Sequence, residues 1–263
     1  VEHNMADLAA QVAANKTGIS EINSMIDQFG IKTVHAYMNH VQDNAEESIR
    51  KAIVTLKGGE YEYELDNGEF IRVNVKINKK NREAIIDFTG TASKNPFNYN
   101  APKAVCNAVV LYVFRTLVGN NIPLNEGCFK PIKIIIPNNS MINAKYPSAV
   151  IAGNTEVSQL TCNALVGALG VISGSQATMN NFIWGNEKIQ NYETICGGTG
   201  AGPNFHGTSA IQTHMTNTRS TDPEVLETRF PVRLEEFSIR KNSGGKGMFL
   251  SLIHISEPTR RDQ

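Results

Sequence analysis

The stretch GGEYEYELDNGEFIRVNVKINKKNREAIIDF, residues 58–88, decides the fold class, because the hydrophobic period changes within it. Up to Leu56 apolar residues recur every three or four positions. From Tyr61 they alternate, as they do in a strand with one buried face. YEYEL (61–65), EFIRVNVKI (69–77) and EAIIDF (83–88) read as three strands. Asp66-Asn67-Gly68 and Lys79–Arg82 are the turns between them. Glu60, Glu62, Glu64, Arg72, Asn74 and Lys76 fall on one side, which predicts an antiparallel meander with one solvated face.

Working upstream, residues 2–17 read as a helix ended by Gly18, and Ser20 caps a second one, SEINSMIDQF. Gly30 stops that helix, and a third runs from Lys32 to Leu56. His35 and His40 lie in it five residues apart, which is the wrong interval for an i,i+4 metal pair.

Downstream, residues 101–117 read as a packed helix and IKIII (132–136) as a buried strand. Residues 155–170 read as a helix, and Asn180–Trp184 with Asn191–Ile195 as a hairpin. Asp222-Pro223 opens a short helix, and a last strand lies within residues 230–239. The expected fold is α+β. An N-terminal helical segment, 1–57, precedes an α+β part, 58–249, that holds the meander and a larger mixed α/β region.

The chain has 263 residues, enough for a sizeable core. Its 25 basic and 25 acidic residues balance, which argues against nucleic-acid binding. No run of 18 apolar residues suggests a membrane span. Four cysteines show neither CxxC nor zinc-finger spacing, which fits free thiols in a reducing compartment, the cytoplasm. Cys196, just before GGTGAG, is the one placed to face a pocket, though a nucleophile there needs a base beside it.

The chemistry-bearing residues gather in 149–217: AVIAGNTEVSQ (149–159), ATMNN (177–181), and YETICGGTGAGPNFHGTSAIQTHMTN (192–217). Asn154 and Glu156 sit at a helix start, where free N–H groups favour an anionic or carbonyl-bearing ligand. The helix dipole there is expected to lower the Glu156 pKa and to make Glu156 an orienting group before a base. GGTGAGP is neither GxGxxG nor a Walker motif, so its glycines bring loops together over a small ligand or simply pack. His214 and His206 are candidate catalytic residues, with His214 nearer the reacting group. Asn180, Asn181, Glu193, Asn217 and Arg219 are candidate substrate-binding residues, Arg219 as a bidentate carboxylate clamp. Each of these also reads as a local cap, turn or loop-shaping residue. A shared site requires Asn154, Glu156, Asn180, Glu193 and His214 to converge on one cleft.

Read in order, eight motifs resemble the B component of the hydantoinase/5-oxoprolinase family. They are HNMADLAAQVAANKTG (3–18), AYMNHVQDNAEESIR (36–50), DFTGTASKNPFNYNAP (87–102), LNEGCFKPIKIIIP (124–137), AVIAGNTEVSQ, GSQATMNNFIWG (174–185), residues 192–231 and RKNSGGKG (240–247). AYMNHVQDNAE and Phe205-His206-Gly207 resemble the ATP-dependent 5-oxoprolinases more than the hydantoin or ketone-carboxylating relatives.

The resemblance implies a two-part amidohydrolase of glutathione metabolism. ATP, bound by a hydantoinase A/ATPase-like part and not by this chain, activates a small cyclic amide, and the B part completes hydrolysis. It also implies a divalent metal in the full enzyme and a homo-oligomer. The upstream His/Asp segment of the family does not occur in these residues, which start at Val1. The chain is therefore expected to be a central piece, inactive alone, and an inert scaffold is the rival reading. LSLIHISEPTRRDQ (250–263) resembles a translated sequencing adapter and is expected to be a non-native tail that projects from the domain without a packed apolar face.

Overall fold

The computed structural model describes residues 2–119, 121–240, 242–245, 247–249 and 260–262. Two long helices open the chain, α1 (Glu2–Phe29) and α2 (Ile31–Thr55). Here the sequence reading needs a correction: Gly18 does not end a helix, and α1 runs through it without a break. A glycine inside a helix costs about 1 kcal/mol relative to alanine, too little to stop a helix with good formers on both sides. Gly30 does separate the two helices, at φ 78°.

The meander follows as β1 (Gly59–Glu64), β2 (Phe70–Asn78) and β3 (Glu83–Asp87), each antiparallel to the next. Ile71, Val73, Val75, Ala84 and Ile86 point into the core. On the other face Arg72 pairs with Glu62 across the β1–β2 ladder. After α3 (Lys103–Thr116), β4 (Ile132–Ile135) adds to the sheet parallel to β3, giving the order β1-β2-β3-β4. As an edge strand with one neighbour it is only partly covered. Ile132 is buried and Ile134 half-buried, short of the full burial that its branched residues suggest.

The core closes around α4 (Ser158–Leu169), in which every residue but Gly167 is buried. It packs on α3, β1 and β2. The approach to β1 requires glycine, since a Cβ on Gly167 would sit 2.9 Å from the Tyr61 ring. The hairpin β5 (Asn181–Gly185) and β6 (Gln190–Thr194) forms a separate two-stranded sheet. α5 (Pro223–Arg229) has Asp222 as its N-cap, accepting from Glu224 N–H at 3.0 Å. β7 (Val232–Leu234) pairs antiparallel with the backbone of β8 (Arg260–Asp262). The rest of the expected tail, 250–259 and Gln263, lies outside the described residues. No helix among the described residues is long and apolar enough to cross a membrane.

The polar loop 88–102 turns out to be a structural knot. Asn100 is fully buried. Its Oδ1 accepts from Asn95 N–H at 2.8 Å, and its Nδ2 faces the carbonyls of Asn95, Phe97 and Ala149 at 2.9, 2.9 and 3.1 Å. That fixes the chain entering α3 against the chain leading to α4.

Candidate active site

The chain enters α4 through a turn wound wider than an α-helix, Gly153–Val157. Such π-type turns recur at functional positions, because they re-aim side chains that a regular helix would stack. Glu156 lies in this turn. Its Oε1 accepts from Thr178 Oγ1 at 3.0 Å and from Asn181 Nδ2 at 2.7 Å. Asn181 Oδ1 accepts in turn from Tyr192 Oη on β6. Asn180 N–H donates to Thr178 Oγ1 at 3.1 Å, and its carbonyl accepts from Ile195 N–H at 3.0 Å. Asn154 is exposed at the start of the turn, with its carbonyl accepting from Ser158 Oγ at 2.7 Å.

Glu156 borders a cleft of about 260 Å³. Tyr63, Tyr99, Asp66 and Asn67 contribute to its lining, so the β1–β2 turn faces the start of α4 across it. Burial raises the Glu156 pKa above the usual carboxylate value, although the bonds from Thr178 and Asn181 pull it down. The helix-dipole argument expects the reverse. It fails because the wide turn draws the carboxyl half into the protein, and the loss of solvation outweighs a terminal dipole that acts best in the open.

A second group lies one turn further along α4. Gln159 is fully buried, and its Nε2 donates to Thr213 O at 3.3 Å and to Thr216 Oγ1 at 2.5 Å. Between those two anchors sits His214, held at φ 52°. Its ring meets Tyr112 of α3 edge-on, with centroids 6.0 Å apart. Both Gln159 Oε1 and His214 Nε2 are buried without a hydrogen-bond partner. Burial lowers the His214 pKa to about 4, so the imidazole is neutral at pH 7. It also raises that of Tyr112 to about 12. Ala177, Asn180, Ala210 and His214 all hold left-handed backbone in these loops, a conformation costing roughly 1–3 kcal/mol each and concentrated at functional sites.

The loop carrying His214 is laced to the end of β6. Thr194 Oγ1 bonds the Thr218 hydroxyl and accepts from Gln212 Nε2 at 3.1 Å, while Thr194 O accepts from Ser220 Oγ at 3.0 Å. Asn217 and Arg219 flank Thr218 and are exposed. Glu193, next to Thr194, is buried and accepts from Asn191 Nδ2 at 2.6 Å. The glycine-rich segment closes against a neighbouring loop, and a Cβ on Gly200 would lie 1.9 Å from Ser173 O.

The expected residues thus fall into two groups. Asn154, Glu156, Asn180 and Asn181 surround the start of α4. Glu193, His214, Asn217 and Arg219 lie on β6 and the loop it holds. The groups meet through the first turn of α4 and the β5–β6 ladder, where Asn181 faces Thr194. Of these residues Glu156 alone lines the 260 Å³ cleft. His206 stands apart on an exposed loop, edge-on to Phe249. Thr178, Tyr192, Gln159 and Thr194 escaped the sequence reading. Gln159 was within reach of it, three residues after Glu156 on the same helix face.

Cys196 is half-buried, and burial raises its thiol pKa against a hydrogen bond from Ser220. Burial also pushes Cys106 up to about 12 and Cys162 higher still. A thiol held protonated is a poor nucleophile. At pH 7.5 the native protein should therefore react with a disulfide reagent slowly and at Cys196 only, and with all four thiols once unfolded in guanidinium. A fast first equivalent would contradict this. Among the described residues no three His, Cys, Asp or Glu side chains are placed to hold a metal ion, so the set present here does not fit a divalent-metal centre.

Residues 1–250 match the family model described as Hydantoinase B/oxoprolinase. The chain is 42% identical to 5-oxoprolinase 1 of Arabidopsis thaliana over 94% of its own length and 21% of that protein's. It is 42% identical to the 5-oxoprolinase of Dictyostelium discoideum over 94% of its length and 20% of that protein's. In three dimensions it resembles the ATP-dependent caprolactamase from Pseudomonas jessenii, with a TM-score of 0.77 at 22% identity, covering 95% of this chain and 47% of that one. Shared fold and sequence over nearly its whole length show that the chain belongs to the hydantoinase B/oxoprolinase family.

Proposed function

We propose that the chain is part of an ATP-dependent amidohydrolase that opens the cyclic amide of 5-oxo-L-proline to L-glutamate. The observation that carries this reading is the 42% identity to 5-oxoprolinases from a plant and an amoeba across 94% of the chain. ATP, held by a hydantoinase A-like part, supplies the phosphoryl group that makes the amide oxygen a leaving group. Glu156 then takes a proton from the attacking water as the water oxygen bonds to the ring carbonyl carbon. Thr178 and Asn181 hold its carboxylate in place, and its raised pKa strengthens it as a base. The ring C–N bond of this adduct breaks, its electron pair and a proton ending on the nitrogen, and a second water splits the resulting acyl phosphate into the glutamate side-chain carboxylate and inorganic phosphate.

Neutral His214, whose buried Nε2 has no hydrogen-bond partner, sits nearer the ring nitrogen as a hydrogen-bonding group. Arg219, exposed beside Thr218, clamps the substrate carboxylate. Asn154, Asn180, Glu193 and Asn217 shape the surrounding loops. His206 acts separately, at the rim. Three buried free thiols and one half-buried one suit the reducing cytoplasm.

The test uses the full-length enzyme with its ATPase part, with ATP cleavage and glutamate formation followed separately. Arg219→Ala should raise KM for 5-oxoproline about tenfold or more while kcat changes little. His214→Ala should cut glutamate formation while some ATP cleavage continues without it. Wild-type rates in a folded His214→Ala enzyme would remove that residue from the mechanism, and no turnover of 5-oxoproline by the wild type would remove the substrate.

A further inference from the structure

Because α1 runs unbroken through Gly18, its two apolar stripes join into one seam. Met5, Val12, Ile19 and Ile26 take the a positions of successive heptads, and Leu8, Asn15, Ile22 and Phe29 the d positions. This is the pattern by which one helix packs along another, knobs into holes. The seam has no partner among the described residues: Ile19 is 62% exposed, Met5 60% and Val12 53%. At its C-terminal end it runs into an apolar groove of about 690 Å³, lined by Met25, Phe29, Val34, Tyr37, Met38 and Val41. A helix of 28 residues, ~42 Å long, holds this surface out from the body.

We propose that α1 docks lengthwise against a helix contributed by the remainder of a longer polypeptide, with closest approach at Gly18, and that this occupant is not a second copy of the chain. Three observations choose it. First, the chain covers 21% of the Arabidopsis relative and 47% of the caprolactamase, so proteins that share this fold carry further chain able to supply the helix. Second, the positions flanking the seam carry little charge. Asn4, Gln11, Gly18 and Met25 lie on one side, and Glu2, Ala9, Lys16 and Asn23 on the other. Coiled coils between separate chains use those positions to choose partner and register. A tethered partner at high effective concentration needs no such code.

Third, small residues outnumber charges on the helix beyond the seam, with Ala6, Ala10, Ala13, Ala14, Ser20 and Ser24 against Asp7, Glu21 and Asp27. A free two-stranded coil would place charge at more of these positions. Small residues instead suit a helix enclosed on more than one side. Gly18 fits the same account, because a Cβ added to it would meet nothing within 4 Å. Nothing within the described structure therefore requires a glycine in the middle of this helix, whereas a partner backbone passing close by would.

The test compares hydrogen exchange of the α1 amides in the 263-residue chain and in the full-length polypeptide, with the mass of each measured in solution. The 263-residue chain should be monomeric, with α1 exchanging at least 100-fold faster than in the longer protein. Gly18→Ala should raise the helicity of the 263-residue chain and yet speed α1 exchange in the full-length protein. Ile19→Glu should leave the Tm of the short chain unchanged and lower that of the long one. A dimeric short chain with protected α1 amides, dissociated by Ile19→Glu, would overturn the proposal in favour of a second copy. Equal exchange of α1 in the two wild-type proteins would overturn it outright, whether or not the variants fold.

Discussion

Glu156→Gln in the full-length enzyme is expected to lower kcat for glutamate formation by about 10²–10⁴-fold, the range that a positioned general base contributes. ATP cleavage should continue at a reduced, uncoupled rate, because the phosphoryl step precedes the one Glu156 serves. Glutamine keeps an oxygen for Thr178 and Asn181 to donate to, so the local geometry survives.

The same substitution should stabilise the fold at neutral pH, and the sign follows from the direction of the pKa shift. Burial raises the Glu156 pKa in the folded state, so the native protein binds that proton more tightly than the unfolded chain does. Ionised Glu156 therefore costs stability in full above its raised folded value, and the cost fades as pH falls from there to the unfolded value of about 4.5, below which it is gone. Tm of the variant should exceed that of the wild type at pH 7.5, and the gap should close towards pH 4. A loss of both activity and stability at pH 7.5 would mark Glu156 as a structural residue. Retained activity would free it of any part in catalysis.

Asn100→Ala is expected to be the most damaging single change in the loops around the site, costing roughly 3–5 kcal/mol. The alanine would leave Asn95 N–H and several loop carbonyls without their partner in the interior. Because Ala149 belongs to the segment leading into the Glu156 turn, the loss should also loosen that turn. Urea denaturation measures the change directly. Asn100→Asp is the informative companion, since it keeps the acceptor for Asn95 N–H and sets a carboxylate against carbonyl oxygens. It should be at least as destabilising as alanine. Exposed Asn154→Ala should change stability by no more than about 0.5 kcal/mol. Equal effects at the two asparagines would contradict the knot.

Much of the architecture was legible in the residues. The change of period at Gly58-Gly59, the Asp66-Asn67-Gly68 turn and the alternation through β2 determined a helical start and an antiparallel meander. Each of those signals is local, because side-chain direction repeats with the backbone geometry that produces it. The eight ordered motifs likewise determined the family. The burial of Cys106 and Cys162 followed from the apolar helices that hold them.

Tertiary structure decided the rest. Gly18 looked like a helix end because propensity is read over a few residues, whereas helix continuity is settled by the whole helix and what packs on it. That Asn100 is a knot could not be read from the residues alone, because its partners include Ala149, far along the chain. The direction of the Glu156 pKa shift was misjudged from its place at a helix start, since desolvation depends on how deep a turn lies and not on its sequence. His214 and Gln159 share the same reason: their partners sit on α3, on α4 and in a loop more than fifty residues away, and only the folded chain brings those surfaces together.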